Sequence, residues 1–266
     1  MNRVISGVLA ASLCLATVGH LHANPTNNKS ATSKKLGLST GVKWTQQSKE
    51  FPLLTSYLYQ QATQNLKTQV LPTTPWLVIM DIDETLLNNS DYNKRLDLTG
   101  GSYTGESWQA WVHEKNATAI PGAIEFVKTV IELGGQLALV TNRNHIDDSY
   151  TWQNLLSVGF PIDRKTTCLT GKRPQDKKAI DNINIINDKD LRRQEFISGQ
   201  ASQCWGQDKQ LKSLWNRDFS LVYQVGDNIE DIAKTTQKNA DVQQLLLRQG
   251  KDILILPNAM YGSWGH

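Results

Sequence analysis

Two aspartates two residues apart, Asp81 and Asp83, close the apolar run Trp76-Leu77-Val78-Ile79-Met80. Carboxylates this close repel each other in a partly dry site, and a bound cation or a proton held on one of them relieves the conflict. Such a pair suits a nucleophile with an acid/base partner beside it. Taken alone, D-x-D is also what a strand running into an acidic turn looks like. A second acidic cluster, Gly226-Asp227-Asn228-Ile229-Glu230-Asp231, follows the apolar stretch Ser220 to Val225. Asp227 and Asp231 are four apart, on one face if a helix begins there. With the first pair they make a set of oxygen ligands suited to a hard cation such as Mg²⁺.

Between the two clusters, Gln136 to Val140 is a third apolar run, ending in Thr141, Asn142 and Arg143. A hydroxyl at a strand end, backed by free amides of the next turn, can hold a phosphate oxygen; a lone threonine there is more often just a turn residue. One cation near the carboxylates would balance a bound phosphate. Lys189, at the start of a helical pattern opened by Asp188, is the first choice, and Lys172 and Lys178 compete with it.

The elements that must position these groups follow from periodicity. Trp76 to Met80 is short and continuously apolar, as a strand buried on both faces is. In an open parallel sheet ligands bind beyond the carboxyl ends of the strands, which puts Asp81 at a cleft mouth. Strands at Gln136–Val140, Cys168–Thr170, Ser220–Val225 and Ile253–Leu256 alternate with helices at Ala123–Leu133 and Asp147–Val158. The stretch Asn182–Asn187 reads as a strand or an extended loop. The pattern predicts an α/β doubly wound parallel sheet, with a core over about 72–266. Residues 43–71 carry a broken apolar stripe and read as a structural helix packed on the edge of the domain. Residues 86–120 form a loop-rich, aromatic insertion, a small and mostly helical cap. Within it Ser107 is placed to cap a short helix carrying Trp108 and Trp111 on one face, and Trp111 equally suits a small satellite core.

The chain has 266 residues and a net charge of +3, too slight and too scattered to point to a nucleic-acid polymer as partner. Met1-Asn2-Arg3, the apolar stretch to Val18 and Ala23 predict a signal peptide over 1–23, cut after Ala23. Residues 24–40 read as a flexible leader. The apolar run is short for a membrane span, and Leu13 before Cys14 is a poor lipid-attachment context, so no stable membrane anchor is expected and the protein is predicted to be periplasmic or secreted. Export would put Cys168 and Cys204 in an oxidising compartment, where a disulfide and two buried thiols are both open.

The motifs D-I-D-E-T, the strand-end Thr141, a downstream lysine and G-D-N-I-E-D together resemble those of haloacid dehalogenase superfamily phosphatases. L-N-N-S-D-Y, W-Q-A-W-V, A-I-P-G-A-I-E-F, V-T-N-R, L-L-S-V-G-F and L-P-N-A-M-Y-G-S-W are similar to the class C bacterial acid phosphatases, over roughly Trp44 to Trp264. The resemblance implies a haloacid dehalogenase-like core and an exported phosphomonoester hydrolase acting on nucleoside 5′-monophosphates. It makes Asp81 the nucleophile, Asp83 the general acid/base, Thr141 a phosphoryl contact and Lys189 the charge partner. One Mg²⁺ would be held by Asp81, Asp227, Asp231 and the backbone carbonyl of Asp83, with Thr85 buttressing Asp83. Trp108, Tyr261 and Tyr103 would clamp an aromatic leaving group, with Asn142 and Arg143 as further substrate contacts. A homodimer stays open. Two alternatives use the same scaffold: a phosphotransferase to an alcohol acceptor, and a non-catalytic binding or storage protein.

Overall fold

The apolar run Trp76–Met80 forms strand β1 at the centre of a five-stranded parallel sheet. A computed structural model describes residues 37–176, 186–187, 189–201 and 203–265; the expected signal peptide, Lys178, Asp188 and most of 182–187 lie outside them. Strand β4 (Gln136–Asn144) and strand β6 (Ser220–Gly226) flank β1, and β5 (Thr167–Lys172) and β7 (Ile253–Ile255) take the edges. The fold is α/β. The order β5-β4-β1-β6-β7 places the next two sheet strands after β1, β4 and β5, on one side and the last two, β6 and β7, on the other. The chain reverses direction of growth at β1, and a crevice opens beyond the carboxyl ends there.

Both faces of β1 are covered, which is why its sequence is apolar without alternation. Val78 and Met80 join one core with Phe126, Val130 and Tyr223. Leu77 and Ile79 join the other with Phe196, Trp215 and Phe219. The first face carries α2 (Glu50–Thr68) and α5 (Ala123–Glu132), packed on each other. The second carries α7 (Asp190–Ile197) and α8 (Lys209–Trp215). The helix that follows β4, α6, spans Asp148–Ser157 behind a 3₁₀ turn at His145–Asp147. A last helix, α9 (Val242–Arg248), precedes β7.

The segment expected as one helix over 43–71 is two, α1 (Thr40–Gln47) and α2. Ser48 ends the first with extended backbone, and its hydroxyl accepts the amide of Phe51 at 3.1 Å, which starts the second. Nor is α2 a peripheral brace, because the Tyr59 hydroxyl donates to the carbonyl of Thr85 at 2.7 Å. The helix therefore reaches the turn that follows the paired aspartates.

After β1 the chain leaves the sheet. Residues 87–119 hold an antiparallel ribbon, β2 (Leu87–Asn88) with β3 (Thr118–Ala119), and two helices, α3 (Ser90–Thr99) and α4 (Gly105–Glu114). Thr104, not Ser107, is the N-cap of α4. Its hydroxyl accepts the Ser107 amide at 3.1 Å, and the Ser107 hydroxyl accepts the Thr104 amide at 3.2 Å. The two residues form a reciprocal capping box, a role the single-residue reading had collapsed onto Ser107. Trp111 is buried, donating its indole N–H to Asn89 Oδ1 at 2.8 Å.

Cys168 on β5 and Cys204 are joined as a disulfide, with a Cα separation of 5.0 Å. Of the two states the sequence left open, the paired one is present.

Candidate active site

The turn after β1 is built by its own backbone. The Asp81 amide donates to Val225 O at 2.9 Å, so the nucleophile candidate is held as if β1 continued beside β6. The Ile82 carbonyl accepts from the amides of Leu86 and Leu87 at 2.8 and 2.9 Å, and Glu84 takes a left-handed φ of 54° to complete the reversal. The reversal directs the side chains of Asp81 and Asp83 to different partners.

Asp81 is buried and bonded through Oδ1 to the Lys189 ammonium at 2.5 Å; the same ammonium reaches Asp231 Oδ1 at 2.6 Å. Of the candidate lysines, Lys189 at the N-cap of α7 is thus the one that meets the acids, while Lys172 belongs to β5. Burial alone would lower the Lys189 pKa, but the charges of Asp231 and Asp81 outweigh it and hold the ammonium well above its ordinary value. Asp81 is pushed up to about 7 by burial, against the pull of Lys189 and with the help of the Asp231 and Asp83 charges. Asp227 is raised too, by burial and then by Asp231 and Asp81.

Asp227 and Asp231 do not lie on one helix. The turn at Ile229–Asp231 is 3₁₀, capped by Asn228, and Asp231 folds back so that its Oδ2 accepts the Asn228 amide at 3.0 Å. Gly226 is what permits this: a Cβ there would lie 2.1 Å from Asp231 Oδ2 and 2.2 Å from its Cβ. Asp227 Oδ2 accepts from Asn258 Nδ2 at 2.8 Å, and Thr85 Oγ1 donates to Asp227 Oδ1 at 3.4 Å. Thr85 therefore supports Asp227, where Asp83 had been expected.

One carboxylate oxygen from each of Asp81, Asp227 and Asp231 lies within 4.8 Å of the others. Three carboxylates, those of Asp81 and Asp231 buried and that of Asp227 half-buried, cluster around one ammonium, and burial first and the neighbouring carboxylates second raise Asp81 and Asp227. A hard dication with oxygen ligands fits that deficit and that donor set.

Asp83 is oriented separately. Its Oδ1 accepts from Arg143 Nε at 2.9 Å, Arg143 Nη2 at 2.7 Å and Asn89 Nδ2 at 2.9 Å. Arg143, expected against the substrate, is instead 1% exposed and turned onto Asp83, with further hydrogen bonds to Thr151 and Asn89 and its guanidinium 5.8 Å from the Trp108 ring centre. Thr141 is fully buried on β4. Its hydroxyl accepts the Arg143 amide at 3.1 Å, and its carbonyl accepts from Arg192. Asn142, between them, is exposed to the cleft.

That cleft has a volume of about 770 Å³ and its floor holds Asp81, Asp83, Asp227, Asp231 and Lys189. Trp108 and Tyr103 line it from the insertion, and Tyr261 lines it from the carboxyl-terminal turn. Tyr92 and Trp264 also line it and had not been assigned there. Tyr92 meets Trp108 edge to face at 5.0 Å, and its hydroxyl lies 2.8 Å from Ser107 Oγ. Asn89, Asn258 and Tyr59 were likewise missed. The first two sit inside L-N-N-S-D-Y and L-P-N-A-M-Y, but an asparagine in a motif says nothing about which carboxylate it serves.

A carboxylate at the switch point of a parallel sheet, a separately oriented second carboxylate and a three-acid cluster with one lysine are what a phosphoryl-transfer site requires. The family model for the HAD superfamily, subfamily IIIB (acid phosphatase), matches residues 8–264, and the chain belongs to that family. Acid phosphatase 1 of Solanum lycopersicum is 31% identical over 86 residues, which cover 31% of this chain and 32% of the tomato protein. The Stem 28 kDa glycoprotein of Glycine max is 22% identical over 127 residues, 48% of this chain and 50% of the soybean protein. The chain thus spans from a third to a half of the length of these curated relatives. Among solved structures, the class C acid phosphatase from Bacillus anthracis superposes with a TM-score of 0.64 at 24% identity, over 84% of each chain. Its tungstate-bound form gives a TM-score of 0.62. At this identity the likeness establishes the shared fold.

Proposed function

We propose that this protein is an exported, Mg²⁺-dependent acid phosphatase that hydrolyses phosphomonoesters, nucleoside 5′-monophosphates among them. Asp81 attacks phosphorus and its bond to phosphorus forms as the ester bond breaks, giving an aspartyl-phosphate. Asp83 gives its proton to the leaving oxygen, then takes one from the water that attacks the aspartyl-phosphate, so that phosphate leaves and Asp81 is regenerated. Lys189 offsets charge on the phosphoryl oxygens. Asp81, Asp227 and Asp231 would hold the metal, which when bound adds charge stabilisation beyond what one ammonium supplies. Asn142 is the strand-end residue open to the phosphoryl group, with Thr141 behind it setting the turn. The insertion over 86–120 acts as a cap, and Trp108, Tyr103 and Tyr261 take an aromatic leaving group between them.

The observation that carries the proposal is the separation of roles between the paired aspartates. Asp81 meets Lys189 and the acid cluster, while Asp83, two residues on, is held by Arg143 and Asn89. A structural acidic turn has no use for that division. It is tested by phosphate release from purified protein with Mg²⁺ across nucleotides, sugar phosphates and aryl phosphates. Turnover is expected with nucleoside 5′-monophosphates, is lost to background in Asp81→Asn, and is abolished reversibly by a chelator. Turnover that survives both the substitution and chelation would overturn the proposal.

A further inference from the structure

Trp111 is buried and lines no part of the cleft, yet its one polar atom joins the network around Asp83. From α4 of the insertion its indole N–H donates to Asn89 Oδ1 at 2.8 Å. Asn89 is fully buried, and its side-chain amide has one orientation that suits its neighbours. Oδ1 meets two donors, Trp111 Nε1 and Arg143 Nη2, the latter at 3.2 Å. Nδ2 meets two carboxylates, Asp83 Oδ1 at 2.9 Å and Glu84 Oε2 at 3.3 Å. Turned over, the amide would set oxygen against carboxylate and N–H against N–H, leaving buried groups unpaired. Glu84 holds the main chain as well, its Oε1 accepting the Asn89 backbone amide at 2.7 Å.

The Asp83 carboxylate accepts three hydrogen bonds from described residues, and all three end on Oδ1. A carboxyl group with one oxygen so engaged keeps its proton on the other. Asp83 lines the cleft, so a proton on Oδ2 is the one available to a substrate there. Resting on the phosphatase reading, we propose that Trp111 is a positioning residue for the proton step. Its N–H fixes the Asn89 amide, which with Arg143 commits Asp83 Oδ1 and leaves Oδ2 to serve the leaving group. The proton passes from Oδ2 to the ester oxygen as that oxygen's bond to phosphorus breaks. The insertion thus reaches the acid/base through a buried hydrogen bond, besides lining the cleft with Trp108 and Tyr103.

The test uses the full chain with Mg²⁺ and two esters of similar shape, phenyl phosphate and 4-nitrophenyl phosphate. The nitrophenolate departs readily without a proton, whereas the phenolate needs one. The readout is the ratio of kcat/KM for the two esters, which covers steps through leaving-group departure and cancels any loss of folded protein. Trp111→Phe keeps a ring in the core and removes the N–H. Replacement of Trp111 by 3-benzothienylalanine keeps the outline of the indole and also lacks the N–H, so it carries the readout should the phenylalanine variant not fold. Either change is expected to lower kcat/KM about tenfold for phenyl phosphate and no more than about twofold for 4-nitrophenyl phosphate, a part of what a general acid contributes. Asn89→Ala is expected to shift the ratio the same way, and Trp111→Phe added to it to shift the ratio no further. Equal losses on the two esters would make Trp111 a packing residue alone, overturning the inference while the phosphatase reading stands. So would a further shift in the double variant. If wild type hydrolyses neither ester, the underlying reading fails and the inference with it.

Discussion

The two aspartates of D-I-D are held differently because each has a different cationic partner. Lys189 touches Asp81, and Arg143 touches Asp83 through two nitrogens. Replacing Arg143 by alanine would leave Asp83 with only Asn89 to orient it. If Asp83 moves the protons as proposed, kcat should fall about 10²-fold with less effect on KM, because Asp83 loses its orientation while the carboxylate cluster around Lys189 is untouched. Buried ion pairs are costly to break from one side, so Arg143→Ala should also lower unfolding free energy by about 3 kcal/mol, measurable by urea titration. Asn258 holds Asp227 in the way an outer partner holds a metal ligand. Asn258→Ala should raise the Mg²⁺ concentration for half-maximal activity about tenfold or more, while kcat at saturating metal changes less. An unchanged metal requirement would remove Asn258 from the site's support.

Among the elements, the segment that carries Lys189 matters most. Helix α7 follows Lys189, and the disulfide from Cys204 to Cys168 on β5 closes a loop of sequence separation 36 that contains it. A loop of that length stabilises the folded chain by about 3–4 kcal/mol through the unfolded state. Cys168→Ser or mild reduction should therefore lower stability by that order in urea titrations, and a shift well under 1 kcal/mol would show that the crosslink constrains little. Helix α6 contributes a second prediction. Asp148 at its start is buried, with Oδ2 accepting the Gly171 amide at 3.3 Å, and burial pushes its pKa from 3.8 up to about 7. A carboxyl raised on folding binds its proton more tightly in the folded state. Its cost is absent below the unfolded pKa, grows as pH rises through the window from 3.8 to about 7, and is constant above. Asp148→Asn should thus gain stability relative to wild type as pH rises from about 4 to about 7.5, by up to about 4 kcal/mol, and gain nothing at the acid end. A difference that does not vary with pH would show that Asp148 titrates normally.

For the molecule as a whole, the two aromatic walls of the cleft come from segments far apart in the chain. The insertion after β1 brings Trp108 and Tyr103, and the carboxyl-terminal turn brings Tyr261 and Trp264. If these rings hold a nucleobase, Trp108→Ala and Tyr261→Ala should each raise KM for a nucleoside 5′-monophosphate about tenfold while leaving KM for glycerol phosphate within about twofold. Equal losses on both substrates would mean that the rings only shape the cap. The insertion is also tied to the core, since His113 Nε2 lies 2.7 Å from Asp147 Oδ1 and Gln109 donates to the same carboxylate at 3.1 Å. Among the described residues no helix is long and apolar enough to cross a membrane.

Much of this was legible in the chain because it depends on local pattern. A short apolar run with no alternation means a strand covered on both faces, and polar residues just past it mean a strand mouth; β1, β4 and β6 obey that rule. The sequence by itself determined the parallel α/β sheet, the acids at its carboxyl edge and the aromatic insertion. It could not determine partners, because those pair across gaps that no periodicity records. Asp83 finds Arg143 across 60 residues, Asp81 finds Lys189 across 108, and Asp227 finds Asn258 across 31. Only the tertiary structure turned Arg143 toward Asp83, moved Thr85 to Asp227, folded Asp231 back over Gly226 and joined Cys168 to Cys204. Backbone preference acts over a few residues, whereas a buried charge takes whichever counter-charge the packed sheet brings within reach.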